Sequence, residues 1–232
     1  MPQKPVIFLA FANDRVDHTA YLRNLPIELD GIRSALQKAV KAGLCEVVER
    51  SNATIQHILD VFQDEYYKDR IAIFHYGGHA NGYQLLLENL DGSHASAHAD
   101  GLVSFFSKQQ GLQLIFLNGC SSQQQALDLI GAGVAAVIGT SQSINDDVAT
   151  QLAIRFYKGM AAGKAIDRSW QEAIDEVKIT KGTANMRDLF WDGMEESTFS
   201  SSPAVETQNL ASPQPLSHLD RFPWEIHYKE GA

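Results

Sequence analysis

The chain opens on a six-residue apolar run, Val6 to Phe11, hydrophobic at odd and even positions alike. That is the pattern of a strand buried on both faces of a sheet. Leu22, Leu25, Leu29, Ile32, Leu36 and Val40 then recur at helical spacing, and Gly43 stands where a helix C-terminus favours glycine. Cys45 to Val48 reads as a second strand. Thr54 can cap a helix carrying Ile55, Ile58, Leu59 and Phe62, and Ile71 to Phe74 reads as a third strand. A short strand is expected over Tyr83 to Glu88. Asn89 to His98, rich in Asp, Gly, Ser and Ala, is expected to be a surface turn or loop. A helix over Gly101 to Lys108 leads to a fourth central strand over Leu112 to Leu117. A helix over Gln123 to Ile130 leads to a fifth strand, Gly133 to Gly139, and two further helices fit Asp146 to Met160 and Lys164 to Val177.

Strands alternating with helices predict an α/β fold, a three-layer sandwich whose mainly parallel central sheet is flanked by helices. The chain shows no internal repeat. One domain is expected over 1–195. From about Glu195 the composition turns to Ser197, Ser200, Ser201, Ser202 and Pro203, then Ser212, Pro213 and Pro215. A Ser/Pro-rich flexible linker is therefore expected over 196–217. Apolar residues return at Phe222, Trp224, Ile226 and Tyr228, so 218–232 either docks back on the domain or leads into a further domain of a longer protein.

At 232 residues, with 44% hydrophobic and 20% charged, the chain has the size and composition of a domain with a sizeable core. Its formal net charge is -9 and it has no basic patch, which argues against direct nucleic-acid binding. No apolar run approaches the length of a membrane span, and no small-residue cleavage site follows the first strand, so a cytoplasmic location is expected. Cys45 and Cys120 are the two cysteines. Two thiols make neither a disulfide framework nor a four-thiolate zinc site; both are expected to be reduced, and no metal or cofactor is expected.

In open α/β sheets, reactive groups gather at the carboxyl ends of the strands. Two ends stand out: Phe74-His75-Tyr76-Gly77-Gly78-His79-Ala80 and Phe116-Leu117-Asn118-Gly119-Cys120-Ser121-Ser122. Glycine lets the backbone turn sharply and approach a ligand closely. A cysteine before a helix is expected to feel the helix N-terminus, which favours thiolate, and a histidine on a neighbouring strand end can serve it as a base. Singly these are weak signals. A lone cysteine after an apolar strand is more often a core residue, and a lone histidine at a strand end is more often a hydrogen-bonded structural group. His75 lies within the apolar run and is read in that structural sense; His94 and His98 are read as solvent-facing.

The paired segments resemble the two motifs of the CHAT domain, a branch of the caspase-like peptidases that also includes separases. In that family a strand ends in an aromatic, glycine-rich stretch and then His-Ala or His-Gly; about one βα unit later another ends in Asn-Gly-Cys. Here these are Tyr76-Gly77-Gly78-His79-Ala80 and Leu117-Asn118-Gly119-Cys120-Ser121, with His79 and Cys120 41 positions apart. The resemblance runs from about Val6 to about Val177. It implies a cysteine endopeptidase with His79 and Cys120 as catalytic dyad and the backbone N–H groups of Ala80 and Cys120 as oxyanion hole. Ile144-Asn145-Asp146 resembles the separase element that supplies an acid to the specificity pocket. Asn118, Asp146 and Asp147 are accordingly the candidate substrate-binding residues, and cleavage after Arg or Lys is implied; equally, Asn145, Asp146 and Asp147 can simply cap the next helix. The Gln-Ala-Cys-x-Gly signature of true caspases is absent, and too few residues separate helix 123–130 from strand 133–139 for a processing loop. In bacteria, this family implies a defence or cell-death role, a protein substrate and an activating partner or domain. A catalytically silent caspase-like interaction module is the alternative, and a nucleotide binder is disfavoured because no Gly-rich phosphate turn follows the first strand.

Overall fold

The computed structural model describes residues 3–16, 21–181 and 222–230. The expected linker 196–217 lies outside them. Six strands form one sheet in the order β2-β1-β3-β7-β8-β9. These are β1 (Val6–Phe11), β2 (Glu46–Arg50), β3 (Ile71–Gly77), β7 (Leu114–Asn118), β8 (Ala136–Thr140) and β9 (Trp224–Tyr228). The first five run parallel; β1, β3, β7 and β8 are buried on both faces, as their apolar runs require, while β2 is the sheet's edge strand and only its Val48 is buried. A second, three-stranded antiparallel sheet holds β4 (Ala80–Asn81), β5 (Gln84–Glu88) and β6 (His94–His98).

Strand alternation divides the core in two. Ile7, Leu9, Phe11, Leu114, Phe116 and Ile138 meet helices α1 (Leu25–Lys41), α5 (Asp146–Ala161) and α6 (Ile166–Lys181). Val6, Phe8, Phe74, Ile115, Leu117 and Val137 meet α2 (Ile55–Gln63), α3 (Ala99–Phe106), α4 (Gln123–Gly131) and the small sheet. The three-layer α/β sandwich is therefore as the alternation of elements predicts. Local signals also hold: the Thr54 hydroxyl accepts from the His57 N–H at the start of α2, and Gly43 takes φ +72° just past α1.

One stretch differs from expectation, and another takes one of the two courses expected for it. The segment read as a loop over Asn89 to His98 contains β6, paired from Glu88↔His94 to Gln84↔His98. Its apolar positions are only Ala95 and Ala97, too small to raise a strand signal, and the preceding Asp91-Gly92 forms the hairpin turn with Gly92 at φ +85°. The C-terminal segment docks as β9, antiparallel on β8 from Thr140↔Trp224 to Ala136↔Tyr228. No helix is long and apolar enough to cross a membrane among the described residues.

Candidate active site

Adjacent strands β3 and β7 pair Gly77 with Asn118, which sets their two carboxyl ends side by side. Past that register the backbone packs too closely for a side chain at Gly78 or Gly119. A Cβ on Gly119 would lie 2.6 Å from the Gly78 carbonyl oxygen and 2.8 Å from the Ala80 Cβ. One on Gly78 would lie 2.6 Å from both the Ala12 carbonyl oxygen and the Tyr76 hydroxyl. Glycine is thus a steric requirement on both sides. The residues that follow, His79 and Cys120, line one cavity of about 680 Å³ together with Asn118 and Asp146. The buried Tyr76 hydroxyl sits 2.6 Å from the carbonyl oxygens of His79 and Leu86, tying the His79 backbone to β5. Immediately after Cys120 the chain turns through Ser121 at φ +53°, a left-handed conformation unusual for a residue with a side chain. The Ser121 N–H donates to the Gln142 carbonyl at 3.1 Å, which holds the turn against the β8–α5 loop.

Cys120 is half-buried, whereas Cys45 is buried. Burial pushes the Cys120 thiol above its ordinary value; Ile144 and Ser143 bond it and act the other way, and the Asp146 charge adds to the rise. The expected thiolate-favouring helix start is not what governs this group. Helix α4 begins at Gln123 with Ser122 as its cap, so its first free N–H groups lie beyond the cysteine, while desolvation acts on the thiol directly.

The cap question at α5 is settled by Asn145. Its side-chain oxygen accepts from the N–H groups of Asp147 at 3.0 Å and Val148 at 3.2 Å. Asp146 and Asp147 are left to border the cavity. Asp146 Oδ2 accepts the Asn24 N–H at 3.1 Å, and Asp147 Oδ1 accepts Asn24 Nδ2 at 2.5 Å. Asp147 is exposed and Asp146 half-buried. Burial raises the Asp146 carboxyl above the usual aspartate value; the Asn24 N–H opposes this, the charges of Glu28 and Asp147 add to it, and His79 opposes it.

The family model of the CHAT domain matches residues 2–204. The chain belongs to the CHAT domain family. Its fold is that of the caspase-like cysteine proteases. It superposes on a secreted C11 cysteine protease from Bacteroides thetaiotaomicron, solved with an irreversible peptide inhibitor, with a TM-score of 0.58 at 10% identity. That alignment covers 77% of this chain and 59% of the protease, so the chain spans about three-fifths of that protein. The Drosophila initiator caspase Dronc aligns with a TM-score of 0.48 at 10% identity over 75% of this chain and 73% of that one. No curated protein sequence matches significantly.

Under the strand ends of this CHAT domain lies a buried polar network. His75 and Asn118 both face the α1 side of the sheet, and both reach Oε1 of Glu28, at 2.9 Å from His75 Nε2 and 2.8 Å from Asn118 Nδ2. Asn118 Nδ2 also reaches the Ala149 carbonyl at 3.3 Å, and its Oδ1 accepts the Trp224 indole N–H at 3.2 Å. His75 is thus the structural residue its place in the strand suggests, and Asn118 borders the cavity with its amide engaged by protein partners. Glu28 and Trp224 are the site residues that sequence reasoning missed. A signal for Glu28 existed: it falls inside the apolar stripe of α1, between Leu25 and Leu29, where a charge is out of place. Trp224 carried none beyond its apolar neighbours. Among the described residues no group of His, Cys, Asp and Glu is arranged to hold a metal ion.

Proposed function

We propose that the protein is a cysteine endopeptidase that cuts a protein substrate after a basic residue. The observation that carries this reading is the convergence of His79, Cys120 and Asp146 on one cavity. His79 takes the Cys120 proton as Sγ attacks the scissile carbonyl carbon. The backbone N–H groups of Ala80 and Cys120 receive the oxyanion. Collapse of the tetrahedral adduct expels the amine, which leaves with the proton from His79, and a thioester remains on Cys120. His79 then deprotonates a water that hydrolyses the thioester and returns the thiol. Asp146, with Asp147 beside it at the rim, attracts the cationic side chain that precedes the cut. Family membership extends the proposal to a bacterial defence or cell-death role, with a partner or a neighbouring domain as activator.

The test is covalent labelling by a peptidyl acyloxymethyl ketone with arginine next to the warhead, in which Sγ displaces the carboxylate. The native protein should be labelled on Cys120, Cys120→Ala not at all, and His79→Ala slower by about a hundredfold or more. Labelling confined to Cys45, or none in the presence of native fold, would return the protein to the silent interaction module.

A further inference from the structure

Glu28 is 1% exposed, yet it lines the cavity that holds His79, Cys120 and Asp146. A carboxylate so placed needs a reason, because desolvating it is costly unless it is paired. Its two hydrogen bonds, from His75 and Asn118, both land on Oε1, and Oε2 takes none among the described residues. His75 Nδ1, on the other side of the ring, is buried without a partner. Among the described residues, the one lysine or arginine on the cavity lining, Arg23, is exposed. Besides the exposed Asp147 at its rim, the cavity presents two carboxylates among the described residues, Glu28 from the first turn of α1 and Asp146 from the first turn of α5.

The two are fastened to each other through one residue. The Asn24 N–H donates to Asp146, and the Asn24 carbonyl accepts the Glu28 N–H at 2.8 Å. Asn24 stands at the cap position of α1, but its side chain makes no cap bond and reaches Asp147 instead. The entry to α1 is thus latched onto the start of α5. Helices α1 and α5 also close tightly at Gly31, where a Cβ would fall 2.2 Å from Ile154 Cδ1. The spacing of the two carboxylates is built into the helix pair. Their mutual repulsion adds to the rise of the Asp146 carboxyl.

We propose that Glu28 is the second carboxylate of the specificity pocket and makes it select arginine over lysine, an inference that rests on Asp146 being the pocket acid. A guanidinium is a planar fork with five donors, so one edge can pair with Asp146 while another N–H reaches Glu28. An ammonium is a compact point charge and satisfies one carboxylate at a time. Glu28 in this role is a specificity-determining residue, and its bonds to His75 and Asn118 hold it in place.

The experiment compares labelling rates of Cys120 by three acyloxymethyl ketones that differ only in arginine, lysine or citrulline next to the warhead. They are measured on the native protein, Glu28→Gln, Glu28→Asp and Asp146→Asn. The native protein should favour arginine over lysine by about tenfold or more, and both over citrulline. Glu28→Gln keeps an oxygen for Asn118 and His75; it should slow the arginine probe by about tenfold and the lysine probe by less than about threefold, collapsing the ratio. Glu28→Asp, which retracts the carboxylate and keeps its charge, should lower the same ratio and serves if the Gln variant does not fold. A native ratio near one overturns the proposal with no variant needed. An arginine preference that survives in a folded Glu28 variant while Asp146→Asn abolishes the preference for both cations also overturns it, and leaves Asp146 as the single pocket acid. Equal labelling by citrulline and arginine in the native protein removes the basic specificity itself.

Discussion

Asp146 is a half-buried carboxyl whose surroundings oppose its charge. Burial holds its carboxyl above the ordinary aspartate value of 3.8, so the folded chain binds that proton more tightly than the unfolded chain. Between the ordinary and the raised value, stability falls as pH rises; above both, the penalty is complete, and below both it is gone. Asp146→Asn keeps an oxygen for the Asn24 N–H and removes the charge. It should therefore melt at a higher temperature than the native protein at pH 7, and the gain should disappear below about pH 3.8, where the aspartate is protonated in either state. Thermal melts of the pair across that range decide the matter; a variant less stable than the native protein at pH 7 would show that the charge is compensated. Cys120 follows the same logic in reverse of the expectation from its neighbours: its place before a helix suggested thiolate, and its depth in the cavity prevails.

Among the elements, the pairing of β3 with β7 matters most, because it converts two distant motifs into one site. Their glycines leave room for backbone against backbone. Gly119→Ala would drive a methyl group into the Gly78 carbonyl, 2.6 Å away, and into Ala80. The neighbour is main chain and cannot rotate aside. We expect a stability loss of about 1–3 kcal/mol and a much larger loss of Cys120 labelling, since the strand ends separate just where His79 and Cys120 are brought onto one cavity. Denaturant midpoints and labelling rates measured on the same variant check this. Unchanged labelling would mean that the loops have slack that the close packing does not suggest.

At the scale of the molecule, the C-terminal strand closes the site from behind. β9 extends the sheet next to β8, and Trp224, 2% exposed, packs into the α1–α5–α6 core while its indole N–H fixes the orientation of the Asn118 amide. That orientation turns Asn118 Nδ2 toward Glu28. Trp224→Ala should cost about 3–5 kcal/mol by urea unfolding, in line with the loss of a large buried aromatic. A loss below about 1 kcal/mol would show that β9 rests on the domain without supporting it. Trp224→Phe keeps most of the ring volume and deletes the donor, which separates packing from the hydrogen bond.

The sequence alone determined the layers and brought out His79 and Cys120, which the fold places on one cavity. Two-sided apolar strands alternating with amphipathic helices admit few arrangements, and the Gly-Gly-His and Gly-Cys strand ends carry their geometry in the residues themselves, because glycine is needed wherever two backbones touch. Asn145, rather than its acidic neighbours, caps α5, a choice that rests on side-chain angles no pattern encodes. Tertiary structure alone decided the rest. β6 exists because β5 offers it hydrogen bonds, although its own alanines are too small to announce a strand. Glu28 and Trp224 join Asn118 from 90 and 106 positions away, and a hydrogen bond between such distant residues leaves no trace in local periodicity. The protonation of Cys120 was beyond the sequence for the same reason: it depends on how much of the cavity wall surrounds the thiol, which is a property of packing and not of the residues next to it.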